Sequence, residues 1–298
     1  MDGIRQLQNY LSKMKIFILH PDTTVANYFK AYETSEDPDI LVSGAGNAVT
    51  GIILEKYPNV KHIINCCNGI DNIDQNYCKE KNIRIFNAPT ANINATAEHT
   101  LALLFSLLRK IPEADQHIRS GQWERQRFLS RELKDMTVGI IGFGKIGQLI
   151  HKKLSAFEPN FLVYDPIFTK DQVEKYTGCT LISLDSLIHT ADILTLHVPL
   201  LPETTKFISK KEFDSMKDEA MLINTGRGGL IDEEALFNAL RSGKISAAID
   251  VFENEPKINP GFFSLPNIIL TPHIGSMSIE AQKNMILEAR ANFEKSLV

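Results

Sequence analysis

The stretch Val138-Gly-Ile-Ile-Gly-Phe-Gly-Lys-Ile-Gly147 decides the fold. Gly142, Gly144 and Gly147 form a G-x-G-x-x-G pattern between an apolar strand-like run, Thr137–Ile141, and a helix, with Lys145 and Ile146 also expected to contact the ligand of that turn. Three steric demands meet there: a tight turn, a backbone that a pyrophosphate can approach, and close contact between helix and strand. The free N–H groups of the helix's first turn complete an anion site. Glycine-rich turns are common, so the neighbouring sequence has to agree. The next apolar run, Phe161–Tyr164, ends in Asp165, 18 residues after Gly147 and close to the spacing of a ribose-binding acid. A carboxylate there accepts from the adenosine ribose hydroxyls and repels a 2′-phosphate. NAD is therefore the expected cofactor rather than NADP, although Lys170 nearby argues the other way.

Outward from this stretch the pattern repeats. Further apolar runs lie at Ile193–His197, Met221–Asn224, Ile245–Ile249 and Ile268–Leu270. Upstream, Lys15–His20, Ile40–Ser43, Lys61–Asn65 and Ile83–Phe86 form an earlier series. Polar or amphipathic segments separate most of them. Such alternation predicts an α/β architecture with parallel sheets. A length of 298 residues favours two such units, with one large domain as the alternative. Thr96–Ile118 reads as one long helix, with Leu101, Leu104, Phe105, Leu108 and Ile111 at helical spacing and Pro112 bending or dividing it. Gly121–Asp135 reads as a connector, Ser278–Ser296 as one amphipathic helix, and residues 1–14 as a polar extension.

Apolar residues make up 43% and charged residues 23% of the chain, which leaves ample material for a core. The net charge of −4 offers no general attraction to nucleic acid or to acidic membranes, so neither is an expected partner. An anionic substrate would need a local positive group. Cys66, Cys67, Cys78 and Cys179 contain no C-x-x-C pair, and no metal is expected. The apolar stretch Leu101–Ile111 is interrupted by Ser106, Arg109 and Lys110 and is too short to span a bilayer. The first fourteen residues lack a signal-peptide hydrophobic region. With reduced thiols, that points to the cytoplasm.

Three segments carry chemistry. In Asn224-Thr-Gly-Arg-Gly-Gly-Leu-Ile-Asp232, Arg227 lies in a glycine-rich turn at a strand end, where open α/β sheets place ligands. A guanidinium there can hold a carboxylate with two hydrogen bonds, although the same residue could be a surface arginine in a loop. The second segment is Ala248-Ile-Asp-Val-Phe-Glu-Asn-Glu-Pro256, and the third is Thr271-Pro-His-Ile-Gly275. His273 needs an acid to orient it, and Glu255 is the obvious one. Such a pair favours the imidazolium, which suits a proton donor near neutral pH.

In these motifs and their order the chain resembles the D-isomer-specific 2-hydroxyacid dehydrogenase family. The resemblance runs from about Ile40 to Gly275 and puts the family's arginine–glutamate–histidine set on Arg227, Glu255 and His273. It implies two Rossmann-like, doubly wound parallel-sheet domains with a cleft between them. The substrate domain would be discontinuous, residues 1–92 and 276–298, around an NAD-binding domain of residues 93–275. The implied reaction is hydride transfer between NAD(H) and a small 2-hydroxy or 2-oxo acid, with a His273–Glu255 proton relay and an Arg227 clamp on the substrate carboxylate. The segment Asn68-Gly-Ile-Asp-Asn-Ile-Asp74 looks like the family's substrate-domain turn, whose backbone at Asn68 and Gly69 would bind that carboxylate.

For the cofactor, the resemblance implies Thr96 in Thr96-Ala-Glu-His99 on the nicotinamide side, where the family commonly has valine. It adds His197, Val198 and Pro199 near the adenosine, Thr225 and Gly226, Asp250 on the carboxamide, and His273 with Gly275. A homodimer through the long helix is also implied, although that apolar face could equally pack within one subunit. Two other family roles remain open at this stage. One is a short phosphoglycerate dehydrogenase, although Val42-Ser-Gly-Ala-Gly-Asn47 lacks the arginine that some of those enzymes carry there. The other is an NADH-sensing corepressor, for which the chain offers no long disordered tail or basic patch.

Overall fold

A computed structural model describes residues 10–20 and 22–297. Contacts divide the chain into two compact units, Met1–Asn92 with Met277–Val298, and Ile93–Ser276.

The first unit contains a five-stranded sheet in the order β2-β1-β3-β4-β5. Its strands are β1 (Lys15–Ile18), β2 (Glu33–Thr34), β3 (Ile40–Ser43), β4 (His62–Asn65) and β5 (Arg84–Phe86). Every pairing is parallel, so both faces need covering. Alternate residues accordingly go to opposite apolar clusters: Ile40, Val42 and Ile64 to one, Leu41 and Ile63 to the other. The first cluster also takes Met285, Ile286, Ala289 and Phe293 from the helix Ile279–Lys295. Burial of that apolar stripe brings the end of the chain back to the first unit. Leu11 is 2% exposed in the same cluster, so the expected polar extension contributes to the core at its far end. Residues 1–9 of that extension lie outside the described residues. The strand β2 was not legible, because it is two exposed polar residues at a sheet edge.

The second unit contains a seven-stranded sheet in the order β12-β11-β10-β9-β6-β7-β8, again with every pairing parallel. The strands are β6 (Thr137–Ile141), β7 (Asn160–Tyr164), β8 (Cys179–Leu181), β9 (Ile193–Leu196), β10 (Ala220–Asn224), β11 (Ile245–Ile249) and β12 (Ile268–Leu270). Helix Ile93–Leu108 covers one face with Ala97, Leu103, Leu104 and Leu108. The expected single helix is divided just before Pro112. Lys110 adopts φ +52°, and a second helix, Ile111–Arg119, begins with Pro112 in its first turn, where the missing N–H costs nothing. Among the described residues no helix is long and apolar enough to cross a membrane.

This topology positions the site. From β6 the chain winds outward through β7 to β8, then returns to β9 and winds the other way to β12. The order reverses between β6 and β9, the place where open parallel sheets bind ligands beyond their carboxyl ends. The segments leaving those ends carry Gly142–Gly147 after β6, Asp165 after β7 and His197–Pro199 after β9. Next come Thr225–Gly228 after β10, Asp250–Glu255 after β11 and His273–Gly275 after β12.

Candidate active site

The three glycines of the β6 turn meet different surroundings. Gly142 has φ +94°, and a Cβ there would lie 2.6 Å from the His197 carbonyl carbon. A Cβ on Gly147 would lie 2.3 Å from the Gly142 oxygen, so this glycine lets the helix Lys145–Leu154 approach the turn. Gly144 caps that helix, and its Cβ position has no protein atom within 4 Å. The space before the helix's first N–H groups is therefore kept open by the absent side chain, as close approach of a pyrophosphate requires. The residues present fit a dinucleotide.

Asp165 Oδ2 accepts from the Phe143 N–H at 2.7 Å, and its Oδ1 from the Ile167 N–H at 2.9 Å. Each oxygen retains acceptor capacity for a hydroxyl. Gln148 donates to the Phe143 carbonyl at 2.8 Å and completes the bracing of the turn. His197 lies 2.7 Å from Thr195 Oγ1, and burial pulls its pKa down to about 3, so it is neutral at physiological pH.

Beyond β10, the buried Asn224 side chain shapes the turn that carries Arg227. Its Oδ1 accepts from the Gly226 N–H at 3.0 Å, and its Nδ2 donates to the Arg227 carbonyl at 2.9 Å. A Cβ on Gly228 would fall 2.0 Å from the Phe252 carbonyl carbon, so the turn packs directly on the segment leading to Glu255. Thr100 gives its proton to the Thr96 carbonyl at 2.8 Å and so accepts from Thr225 at 2.7 Å.

His273 Nδ1 lies 2.7 Å from Glu255 Oε2, and Glu255 Oε1 accepts from the Phe252 N–H at 2.8 Å. The Glu255 hydrogen bond raises the His273 pKa; burial opposes it, the charges of Glu255 and Asp250 add to it, and the Arg227 charge acts against it. Burial works against ionised Glu255, yet the bonds from His273 and Phe252 outweigh it and its pKa is lowered. The His273 side chain stays 43% exposed, within reach of a ligand. Its backbone is left-handed, with φ +53°. For a residue with a Cβ that geometry costs about 1–3 kcal/mol and persists where surrounding bonds hold it. Here the His273 N–H is bound by the Asp250 carbonyl at 2.8 Å and the Thr271 carbonyl at 3.0 Å.

Asp250 is fully buried. Its Oδ1 accepts from Thr271 Oγ1 at 2.6 Å and from the Ile274 N–H at 2.8 Å, and its Oδ2 from the Gly275 N–H at 2.9 Å. His99 Nε2 approaches Oδ1 at 3.2 Å. Burial alone would raise this pKa, but these donors lower it.

With this geometry in place, the sequence comparison is decisive: residues 101–275, more than half the chain, match the NAD binding domain of the D-isomer specific 2-hydroxyacid dehydrogenases. The chain belongs to that family. It is 42% identical to a D-3-phosphoglycerate dehydrogenase of Methanocaldococcus jannaschii over 84% of this chain, but over only 48% of that protein. The chain thus spans about half the length of the phosphoglycerate dehydrogenases it matches. It is 38% identical to a hydroxypyruvate reductase of Thermotoga maritima, covering 87% of this chain and 85% of the relative. Among solved structures, a D-lactate dehydrogenase of Aquifex aeolicus complexed with NAD and lactic acid superposes with a TM-score of 0.83. It is 28% identical and covers 95% of this chain and 94% of that one.

Three adjacent strand ends carry the arginine, glutamate and histidine singled out in the sequence. Arg227, Glu255 and His273 follow β10, β11 and β12, with Thr96, Asp250 and Gly275 close by: a Cβ on Gly275 would lie 3.1 Å from Asp250 Oδ2 and 3.9 Å from Thr96. Asn68 and Gly69 belong to the first unit, beyond β4. Their carbonyls are occupied, that of Asn68 by Asn87 Nδ2 at 2.5 Å and that of Gly69 by Asn65 Nδ2 at 2.8 Å. Sequence reading missed Asn224, Thr100, Thr271 and His99 as parts of the site. Polar residues at the ends of apolar strands and in an apolar helix were the available signal.

Proposed function

We propose that this chain catalyses reversible, NAD(H)-dependent reduction of a small 2-oxo acid to the 2-hydroxy acid. The observation that carries this reading is the 2.7 Å His273–Glu255 pair, which joins the ends of β12 and β11 next to the β10 end that carries Arg227. Bound NADH would supply hydride to the substrate's carbonyl carbon. The proposed cofactor residues are Thr96, the Gly142–Gly147 turn, Asp165, His197–Pro199, Thr225, Gly226, Asp250, His273 and Gly275. For a carboxamide, Asp250 offers mainly Oδ2, since Oδ1 already has three donors facing it.

Arg227 binds the substrate carboxylate and turns the ketone toward His273. The N–H groups of Asn68 and Gly69 are proposed as further carboxylate donors. Because His273 Nδ1 is engaged by Glu255, Nε2 is the nitrogen left to meet the substrate. In reduction it gives its proton to the ketone oxygen, and Glu255 steadies the imidazolium beforehand. In oxidation the neutral Nε2 takes the hydroxyl proton. Arg227 also stabilises negative charge developing on the oxygen.

A second reading, a short D-3-phosphoglycerate dehydrogenase, is favoured by identities of 36–42% to several such enzymes. The test is NADH oxidation against glyoxylate, hydroxypyruvate, pyruvate, a branched oxo acid and phosphohydroxypyruvate, repeated with NADPH. Rapid turnover of one unphosphorylated acid with NADH is expected. Preference for the phosphorylated one would establish the second reading, and silence across the panel with NADH bound would overturn both.

A homodimer is part of the proposal. Its support is an exposed apolar surface on the second unit: Ile111, Ile118, Trp123 and Leu129 are 52–78% exposed. A groove of about 840 Å³ reaches the same surface at Leu129 and Lys110. The proposed compartment is the cytoplasm, in keeping with four free cysteines.

A further inference from the structure

The Thr271 hydroxyl has one proton, and at 2.6 Å from Asp250 Oδ1 that proton goes to the carboxylate. Toward its other neighbours the Thr271 oxygen can then only accept. His99 Nε2 lies 3.2 Å from that oxygen and 3.2 Å from Asp250 Oδ1. Both atoms facing the nitrogen are acceptors, so the network fixes a proton on His99 Nε2 and shares it between them. His99 comes from the helix Ile93–Leu108 and is 16% exposed, so solvent is a poor substitute for this donor.

What the donor secures is the segment around the proposed proton donor. Asp250 holds Thr271 by its side chain, His273 by its backbone carbonyl, and Ile274 and Gly275 by their N–H groups. Four of five consecutive residues are tied to one buried aspartate, with the left-handed His273 in their midst. The charged groups acting on His273 are Glu255, Asp250 and Arg227. Glu98, beside His99, is engaged elsewhere by Lys153 and Asn94.

We infer that His99 is a positioning residue for catalysis: its Nε2–H locks Asp250 and Thr271 together and so keeps the His273 imidazole aimed from its strained backbone. The inference rests on the reading of His273 as the acid–base group. It also gives the Thr96–His99 segment a second task beside the cofactor contact proposed for Thr96.

The test compares His99→Leu, which removes the donor, with His99→Gln, whose side-chain amide can place an N–H near the same point. In H99L, kcat for the best oxo acid should fall about tenfold or more, a fraction of what acid–base catalysis supplies, with the oxo-acid KM little changed. H99Q should recover most of that loss. The proton between His273 Nδ1 and Glu255, identified in proton NMR by its absence in H273Q, should persist in wild type and H99Q and be lost to exchange in H99L. Equal kcat and an equal signal in H99L and H99Q would overturn the inference, because a purely packing role does not distinguish a donor from its absence. If the wild type turns over no oxo acid, the proposed function fails, and the NMR comparison still decides whether His99 positions His273.

Discussion

At His273 a left-handed backbone, an acidic partner and a neighbouring cation act on one imidazole. The partner prevails, and the imidazolium persists to higher pH than an ordinary histidine's. Reduction as proposed requires that protonated form, so its rate should fall as pH rises through the elevated pKa. Glu255→Gln removes the negative charge that sustains the elevation. The alkaline fall-off should then begin at lower pH, and kcat near neutrality should drop about tenfold to a hundredfold. A pH profile of kcat/KM with an unmoved alkaline limb would refute the pairing as the source of the shift. Stability follows the same signs. The raised histidine contributes fully below its unfolded pKa and loses its contribution as pH rises through the folded value. The depressed Glu255 contributes above its unfolded pKa and loses its share as pH falls through the folded value. The His273–Glu255 pair and the strand-end place of Arg227 were legible because each residue has a chemically distinctive side chain in a distinctive motif. Asn224, Thr271 and His99 were not, because their importance lies in partners remote in sequence or in backbone atoms. The adjacency of His99 and Asp250 exists only after the helix Ile93–Leu108 has packed against β10 and β11.

At the scale of elements, the β6 turn separates folding from binding within six residues. A Cβ on Gly147 meets the Gly142 oxygen at 2.3 Å, a backbone atom that cannot swing aside. Gly147→Ala should therefore push the helix Lys145–Leu154 away from the turn and destabilise the protein by about 1–3 kcal/mol. A Cβ on Gly144 meets no protein atom within 4 Å, so Gly144→Ala should leave the thermal transition nearly unchanged. It should weaken NADH binding at least about tenfold, by filling the space a pyrophosphate needs. Thermal melts and NADH titrations of the two variants check this together; normal NADH affinity in G144A would mean that the pyrophosphate lies elsewhere. Most elements were legible because strands buried on both faces are continuously apolar. The exceptions were β2, a two-residue edge with no apolar side chain, and β8, three residues at the opposite edge. An edge strand is held by pairing on one side alone, so its sequence need not carry the apolar signature. The break at Lys110 escaped placement for a related reason: Pro112 announced an interruption, but a first-turn proline moves the boundary upstream of itself.

At the scale of the whole molecule, the two parallel sheets follow from two series of apolar runs, and the return of the last helix follows from its apolar stripe. Assembly is harder to read, because an amphipathic helix looks alike whether its stripe faces its own sheet or a second subunit. The helix Ile93–Leu108 turns Leu103, Leu104 and Leu108 onto its own sheet, which accounts for much of the apolar face that suggested a dimer. What remains exposed is Ile111, Ile118, Trp123 and Leu129, on the following helix and connector. Leaving several large apolar side chains in water has a cost of about 25 cal/mol per Å², which a partner covering them would remove. Trp123 is the only tryptophan in the chain and is 78% exposed in the single subunit. Intrinsic indole emission therefore reports on this surface alone. If a second copy covers it, the emission should be blue-shifted at high protein concentration. It should move to the red on dilution, in step with a fall from dimer to monomer mass by sedimentation. Trp123→Phe, which keeps an apolar ring, should retain the dimer, whereas Leu129→Glu should dissociate it and give the red-shifted spectrum at every concentration. A dimeric mass with solvent-exposed indole emission throughout would assign the interface to another surface, and a monomer at all concentrations would remove the dimer from the proposal.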